Sequence, residues 1–262
     1  MQLQLNGRHA LVCGASQGIG RAAAHELALL GADVTVLARN AETLAEVVEA
    51  LPRTHAAQTH AFIAADVAEH DTLRRKVEGT ASAAPIHILI NNTGGPPGGP
   101  ARSAAIDAFT DAFQRHLLAN HVLLQAVLPG MRDAGFGRVV NVISTSVKEP
   151  IRNLGVSNTI RGAVASWAKT LSAELGPFGI TVNNVLPGYT RTQRLEQIIA
   201  DRVAATGKTA QEIEQTMLAS VPVGRFASAE EVAAAIAFLA SPAAGYVNGV
   251  SLAVDGGRMQ SI

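Results

Sequence analysis

The sequence predicts an α/β fold built on one doubly wound parallel sheet of about seven strands, with helices on both faces. Three observations carry this expectation. Short apolar or β-branched runs recur with helical-length segments between them, the pattern of repeated βαβ units. Several of the runs lack polar/apolar alternation, as strands covered on both faces do. The chain has 262 residues and is 48% hydrophobic, which suits one large core better than two small ones. A single domain over 1–262 is expected.

In chain order the candidate strands are HALVC (9–13), DVTVLA (33–38), HAFIAA (60–65), IHILI (86–90), RVVNVI (138–143), ITVNNVL (180–186) and VSLAV (250–254). Helices are clearest over 18–30, 41–50, 105–133, 161–176 and 228–240. The last of these opens on a capping box, because Ser228 is followed three residues later by Glu231. GGPPGGP at 94–100 follows a strand end and reads as a ligand-facing loop. The 189–220 stretch is helical in composition but poorly apolar, which marks a substrate flap.

Charge narrows the partners. Lys+Arg and Asp+Glu both total 21, so no net field draws the chain to nucleic acid or an anionic membrane, and 4% aromatic content argues against base stacking. A small-molecule ligand is the expectation. The histidines show no metal-ligand spacing with an accompanying acid or cysteine. The N-terminus lacks a signal-like basic and apolar sequence, and the apolar run 232–240 is too short to span a bilayer. The single cysteine, Cys13, sits in an apolar run and reads as a buried thiol; a reducing cytoplasmic setting fits it best.

GASQGIG at 14–20 follows the first strand and opens a helix. Gly14, Gly18 and Gly20 let the backbone turn and approach a pyrophosphate, with Ser16, Gln17 and Ile19 beside it at the helix N-terminus. This strand–turn–helix context is what makes the glycine spacing informative, and it points to a Rossmann-type dinucleotide site. The second strand ends at Ala38, where an acid would bond the adenosine ribose, and continues with Arg39 and Asn40. A base in place of an acid favours NADP(H) over NAD(H), since Arg39 can contact a 2′-phosphate in bidentate fashion. The competing reading of Arg39 is a solvated surface arginine.

These segments, together with AADV at 64–67, NNTG at 91–94, ITVNNVLPG at 180–188 and the tail VPVGRFASAEEVAAAIAFLAS followed by NGVSLAVDGG, resemble the short-chain dehydrogenase/reductase family over essentially the whole chain. The likeness is to members of the 3-oxoacyl-acyl-carrier-protein reductase type. It implies hydride transfer between a nicotinamide and a carbonyl or alcohol carbon of a small molecule. It places Asp66 and Val67 at the adenine, Asn92, Thr93 and Gly94 along the cofactor, and Pro187, Gly188, Thr190 and Thr192 at its nicotinamide end. Thr93 stands where an alanine is usual.

By the same resemblance, a serine polarises the substrate oxygen, a tyrosine is the acid/base, a lysine four residues on lowers the tyrosine pKa and holds the ribose, and a helix asparagine organises water. Ser144 matches the serine. An ungapped count places Ser157 at the tyrosine position and Arg161 at the lysine position, and the asparagine position falls on His116. Neither of the two tyrosines, Tyr189 and Tyr246, has a lysine four residues on. Tyr189 follows Pro187-Gly188 and is placed at the substrate pocket, Tyr246 at a subunit contact. A serine hydroxyl is far too weak an acid to replace a tuned phenol, and a guanidinium stays protonated, but Arg161 can still bond the cofactor's ribose hydroxyls and polarise a substrate oxygen, the competing reading being a structural ion-pair arginine. Two readings stay open: a reductase with a rearranged centre of Ser144, Ser157 and Arg161, served by water or His116, or a catalytically silent dinucleotide-binding protein acting as sensor or structural subunit. The resemblance, with the apolar helix 232–240 and strand 250–254, also implies a homo-oligomer, a tetramer.

Overall fold

The structure, a computed structural model, describes residues 1–261. Seven strands form one parallel sheet: β1 (His9–Cys13), β2 (Asp33–Ala38), β3 (His60–Ala64), β4 (Ile88–Asn91), β5 (Gly137–Val142), β6 (Ile180–Pro187) and β7 (Ser251–Val254). Their order is β3-β2-β1-β4-β5-β6-β7, so the chain reverses direction across the sheet between β1 and β4. That reversal is the doubly wound signature and opens a crevice at the carboxyl ends of the strands.

Strand alternation feeds two apolar layers. Ala10, Val12, Val34, Val36, Ile88 and Ile90 face one core with α1 (Gly18–Leu29), α2 (Ala41–Ala50) and α9 (Ala229–Ala240). Leu11, Cys13, Leu37, Leu89, Val139 and Val182 face the other, under α3 (His70–Ala83), α5 (Ala119–Asp133) and α6 (Gly155–Leu175). Cys13 is buried as expected, and desolvation pushes its thiol up to about 12. No helix of the described residues is long and apolar enough to cross a membrane.

Three expectations are corrected and one helix is added. The helix placed at 161–176 begins at Gly155, six residues earlier, and so carries Ser157 as well as Arg161. The helix placed over 105–133 is interrupted: α4 (Ile106–Phe113) passes into a π-helical turn, Gln114–Leu118, before α5. Helix α3 was not among the clearest segments because it buries little more than Leu73 and Val77, one residue per turn. Finally, α9 leaves no apolar patch in water, since Val232, Ala233, Ile236, Ala237, Leu239 and Ala240 are consumed by the protein's own core against α1. Only strand β7 keeps its part of the oligomer argument, with Leu252 37% exposed on the sheet edge.

Four neighbouring strands share a buried polar ladder. In register across β4, β5, β6 and β7, Asn91 Nδ2 donates to Asn141 Oδ1 (2.8 Å), Asn141 Nδ2 to Asn184 Oδ1 (3.0 Å), and Asn184 Nδ2 to Ser251 Oγ (3.1 Å). These bonds offset much of the cost of burying the amides, with Asn91 Oδ1 left unpartnered at one end, and the chain of bonds holds the four strands in register.

The 189–220 segment forms α7 (Gln193–Thr206) and α8 (Ala210–Leu218). Its apolar residues are few but sufficient: Leu195, Ile199, Ile213 and Met217 gather with Phe226 in a small core of their own.

Candidate active site

The glycine loop sits at the point where strand order reverses. Gly14 has φ +59°, and a Cβ there would collide with the carbonyl oxygen of Asn92; a Cβ on Gly20 would collide with the carbonyl of Gly14. Asn92, at the end of β4, returns the contact, its Nδ2 donating to the carbonyls of Cys13 (3.3 Å) and Gly14 (3.2 Å). The loop is thus stitched to the neighbouring strand and leaves the amides of the first turn of α1 open, with Gln17 at the N-cap making no side-chain capping bond. A bare backbone floor below a helix N-terminus suits a pyrophosphate, and a dinucleotide fits the residues present.

A cleft of about 280 Å³ runs from this loop past the ends of β4, β5 and β6. The structure brings most of the predicted residues to it. Gly14, Gln17, Gly18 and Ile19 line one end, and Asn92, Thr93 and Gly94 the wall beside them. Ser144, Ser157 and Arg161 lie together on the inner wall, and Pro187, Gly188, Thr190 and Thr192 close the far side. Thr192 reaches back to the glycine loop, where a Cβ on Gly18 would lie 3.2 Å from its Cγ2. Tyr189 also lines the cleft; its ring packs edge-on to Phe226 under the Arg258 guanidinium.

Other predicted residues stand outside it. In the loop Ser16 is half-buried and Gly20 buried, neither lining the cleft, and Arg39 is exposed at the end of β2. Asn40 accepts from the Thr43 amide and caps α2. Asp66 accepts from the Ala68 amide (3.0 Å) and from Arg115 (2.9 Å), which together hold its carboxyl below the usual range. Val67 packs half-buried against the second core. Tyr246 is fully exposed.

Ser157 and Arg161 are four residues apart on α6, one turn along the same face. Arg161 is 9% exposed and donates Nη1 to the Val142 carbonyl at 3.0 Å. Burial, aided by the charge of Arg194, lowers its pKa to about 10, so the group remains a cation at neutral pH. Ser144 accepts from the Ser146 amide at 3.1 Å and caps the short turn Thr145–Val147.

His116 lies on the π turn, 4% exposed, with Nδ1 2.6 Å from Thr93 Oγ1. Burial, then Arg161 and Arg115, pull its pKa down to about 3. The ring is therefore neutral at physiological pH. Two site features went unread in the sequence: this Thr93–His116 pair and Arg194. The first left a signal, since the two residues are the ones the resemblance sets where an alanine and an asparagine are expected, and the structure brings them into contact. Arg194, two residues past Thr192, left none beyond its charge.

Parallel order, reversal between β1 and β4, and a glycine cradle at the reversal define a Rossmann-type α/β protein. Within that class the chain belongs to the short-chain dehydrogenase/reductase family: the family profile described as enoyl-(acyl carrier protein) reductase matches residues 14–258. The chain is 31% identical over 261 residues to the NADPH-dependent reductase BacG of Bacillus subtilis, covering 98% of this chain and all of that protein. It is 33% identical over 257 residues to the 3-oxoacyl-[acyl-carrier-protein] reductase FabG of Vibrio harveyi, covering 97% of this chain and 98% of that one. Among solved structures, L-sorbose reductase from Gluconobacter frateurii, complexed with NADPH and L-sorbose, superposes with a TM-score of 0.92 over the whole of both chains at 28% identity.

Proposed function

We propose that this protein is an NADP(H)-dependent oxidoreductase acting on a carbonyl or alcohol group of a small molecule, through a centre in which Ser157 and Arg161 take the places of the family's tyrosine and lysine. The observation that carries the reading is the convergence of Ser144, Ser157 and Arg161 on the cleft that begins at the glycine loop. The NADPH named for BacG and for the sorbose reductase complex supports the choice of cofactor. So does Arg39, exposed at the end of β2 with no carboxylate of the described residues within 4.0 Å.

Gly14, Gly18 and the first turn of α1 would hold the pyrophosphate, Arg39 a 2′-phosphate, and Asn92, Gly94 and Thr192 the stretch toward the nicotinamide. When bound, the dinucleotide supplies or accepts the hydride. The protein's own task is to meet the charge on the oxygen. Ser144 donates to it, and Arg161, a fixed cation in a poorly solvated wall, stabilises the developing alkoxide. Neither Ser157 nor Arg161 is a usable acid, so water completes the alcohol. Ser157 holds that water. His116 enters as the neutral partner of the Thr93 hydroxyl and organises the same wall; burial keeps its ring mainly unprotonated at neutral pH, which disfavours it as the proton donor. Helices α7 and α8 act as the flap that closes the substrate end. A homo-oligomer, by resemblance a tetramer, forms in part through the β7 edge, and a cytoplasmic location suits a lone buried thiol.

The test is NADPH binding by fluorescence followed by NADPH oxidation with ketones, quinones and β-ketoacyl thioesters, for the native protein and Ser144→Ala. Bound NADPH, slow turnover and a further drop of about 10- to 100-fold in Ser144→Ala support the reading. Tight binding with no turnover on any carbonyl leaves a silent dinucleotide-binding protein.

A further inference from the structure

Two guanidiniums converge on one point of the cleft, and no acid accompanies them. Arg161 comes from α6 and Arg194 from the first turn of α7. A Cβ on Gly95 would lie 3.6 Å from Nη2 of Arg161 and 3.7 Å from Nη2 of Arg194, so the two groups face each other across the bare backbone of that residue. Arg161, nine-tenths buried, spends Nη1 on the Val142 carbonyl and leaves Nη2 on the Gly95 side. Arg194 donates Nη2 to the Pro96 carbonyl at 2.9 Å, which fixes it over the same spot. No carboxylate of the described residues lies within 4.0 Å of either arginine.

The other groups on this part of the wall are neutral: Ser144, Ser157, Leu154 and Tyr189 in the cleft, and His116 behind it. Two like charges facing each other repel, and the depressed pKa of the buried Arg161 is in part, after burial, that repulsion by Arg194. A paired cationic site with no counterion of its own is unfavourable when empty and favourable around an anion. The dinucleotide's charges do not need it, because its pyrophosphate is matched by the glycine loop and its 2′-phosphate by Arg39; the ribose that the resemblance sets at Arg161 is neutral and leaves the pair of charges unbalanced.

We propose that the substrate carries a carboxylate, clamped between Arg161 and Arg194 beside Gly95, and that the enzyme therefore works on oxo acids and hydroxy acids. This rests on the reductase reading above. A planar two-oxygen group matches two guanidinium forks, and holding it there fixes the orientation of the neighbouring carbonyl relative to Ser144. The pair thus selects the substrate, with Arg194 as the specificity-determining residue.

The experiment titrates the NADP⁺-loaded protein calorimetrically with two matched pairs, acetoacetate and methyl acetoacetate, and 4-phenyl-2-oxobutanoate and its methyl ester. At least one acid binds about 10- to 100-fold more tightly than its ester, the worth of one or two charge-assisted contacts. Arg194→Leu loses most of that preference while NADPH affinity is unchanged, and Arg194→Lys keeps part of it. Acids binding no better than their esters in both pairs, or a preference that survives Arg194→Leu, overturns the proposal. NADPH consumption is followed in parallel samples of the same protein given NADPH and the same acids and esters. Preferred acid binding without NADPH oxidation defeats the reductase reading and leaves the anion site, whereas turnover of acid and ester alike does the reverse.

Discussion

At the residue scale the chemistry is set by which charges are satisfied and which are not. Arg39 stands exposed at the end of β2, free to meet a phosphate. Arg39→Asp should cost NADPH about 1.5–3 kcal/mol of binding and narrow or reverse its advantage over NADH, measured as the ratio of the two dissociation constants. His116 shows the opposite condition, a titratable ring held neutral by burial with a pKa of about 3. Unfolded, it would titrate near 6.5, so the unfolded chain takes up the proton first as pH falls. Its contribution to stability is complete above pH 6.5 and is lost between there and about pH 3, at roughly 1.4 kcal/mol per pH unit. His9, His60 and His87, also lowered by burial, act in the same direction. Urea unfolding at pH 7.5 and 5.5 should therefore show acid destabilisation that is shallower in His116→Asn; an equal slope would remove His116 from the account. The residue types at these positions were legible in the sequence. Their partners were not, because the Thr93–His116 contact joins positions 23 apart and Arg194 meets Arg161 only through the packing of α7.

At the scale of elements, α6 decides the centre. Its first turns are Gly, Val, Ser, Asn and Thr, residues of low helix propensity, and that composition is why the sequence suggests a start near Arg161. Packing overrides it: Val156 and Ile160 bury against Ala112 of α4, and the helix extends back to Gly155. Only this extension puts Ser157 one turn from Arg161 on the cleft wall. Helix α3 is hard to see in the sequence for a related reason, since one apolar residue per turn gives too thin a stripe to stand out, whereas all seven strands are legible to within two residues from their short, mainly apolar or β-branched runs. The π turn left no mark in the sequence, though it is what carries His116. If the family's acid/base pair has been exchanged rather than lost, restoring it should help. Ser157→Tyr with Arg161→Lys should raise turnover of a simple ketone, within the 10²–10⁴-fold that general acid catalysis typically supplies. A variant that folds and binds NADPH but turns over no faster would show that the surrounding wall, and not the lack of a phenol at position 157, limits the rate.

For the molecule as a whole, the reversal between β1 and β4 places the glycine loop, and the asparagine ladder through β4 to β7 keeps the far strands in register beneath the rest of the cleft. The sheet was readable in advance; the ladder was not, because Asn91, Asn141 and Asn184 look like breaks in apolar strands until the register aligns them. The β7 edge exposes Leu252 at one margin of the sheet, and light scattering at micromolar concentration should give an oligomer, with a monomer counting against that edge as an interface. The central claim is that reduction here proceeds without a tyrosine acid, and the only tyrosine among the described residues lining the cleft is Tyr189. The most direct measurement is the pH dependence of kcat for NADPH-driven carbonyl reduction between pH 6 and 9, roughly the span in which a lysine-tuned phenol would titrate, in the native protein and in Tyr189→Phe. The account predicts no single ionisation of that kind and a profile unchanged by Tyr189→Phe. A single ionisation in that range that disappears in Tyr189→Phe would contradict it and make Tyr189 the acid.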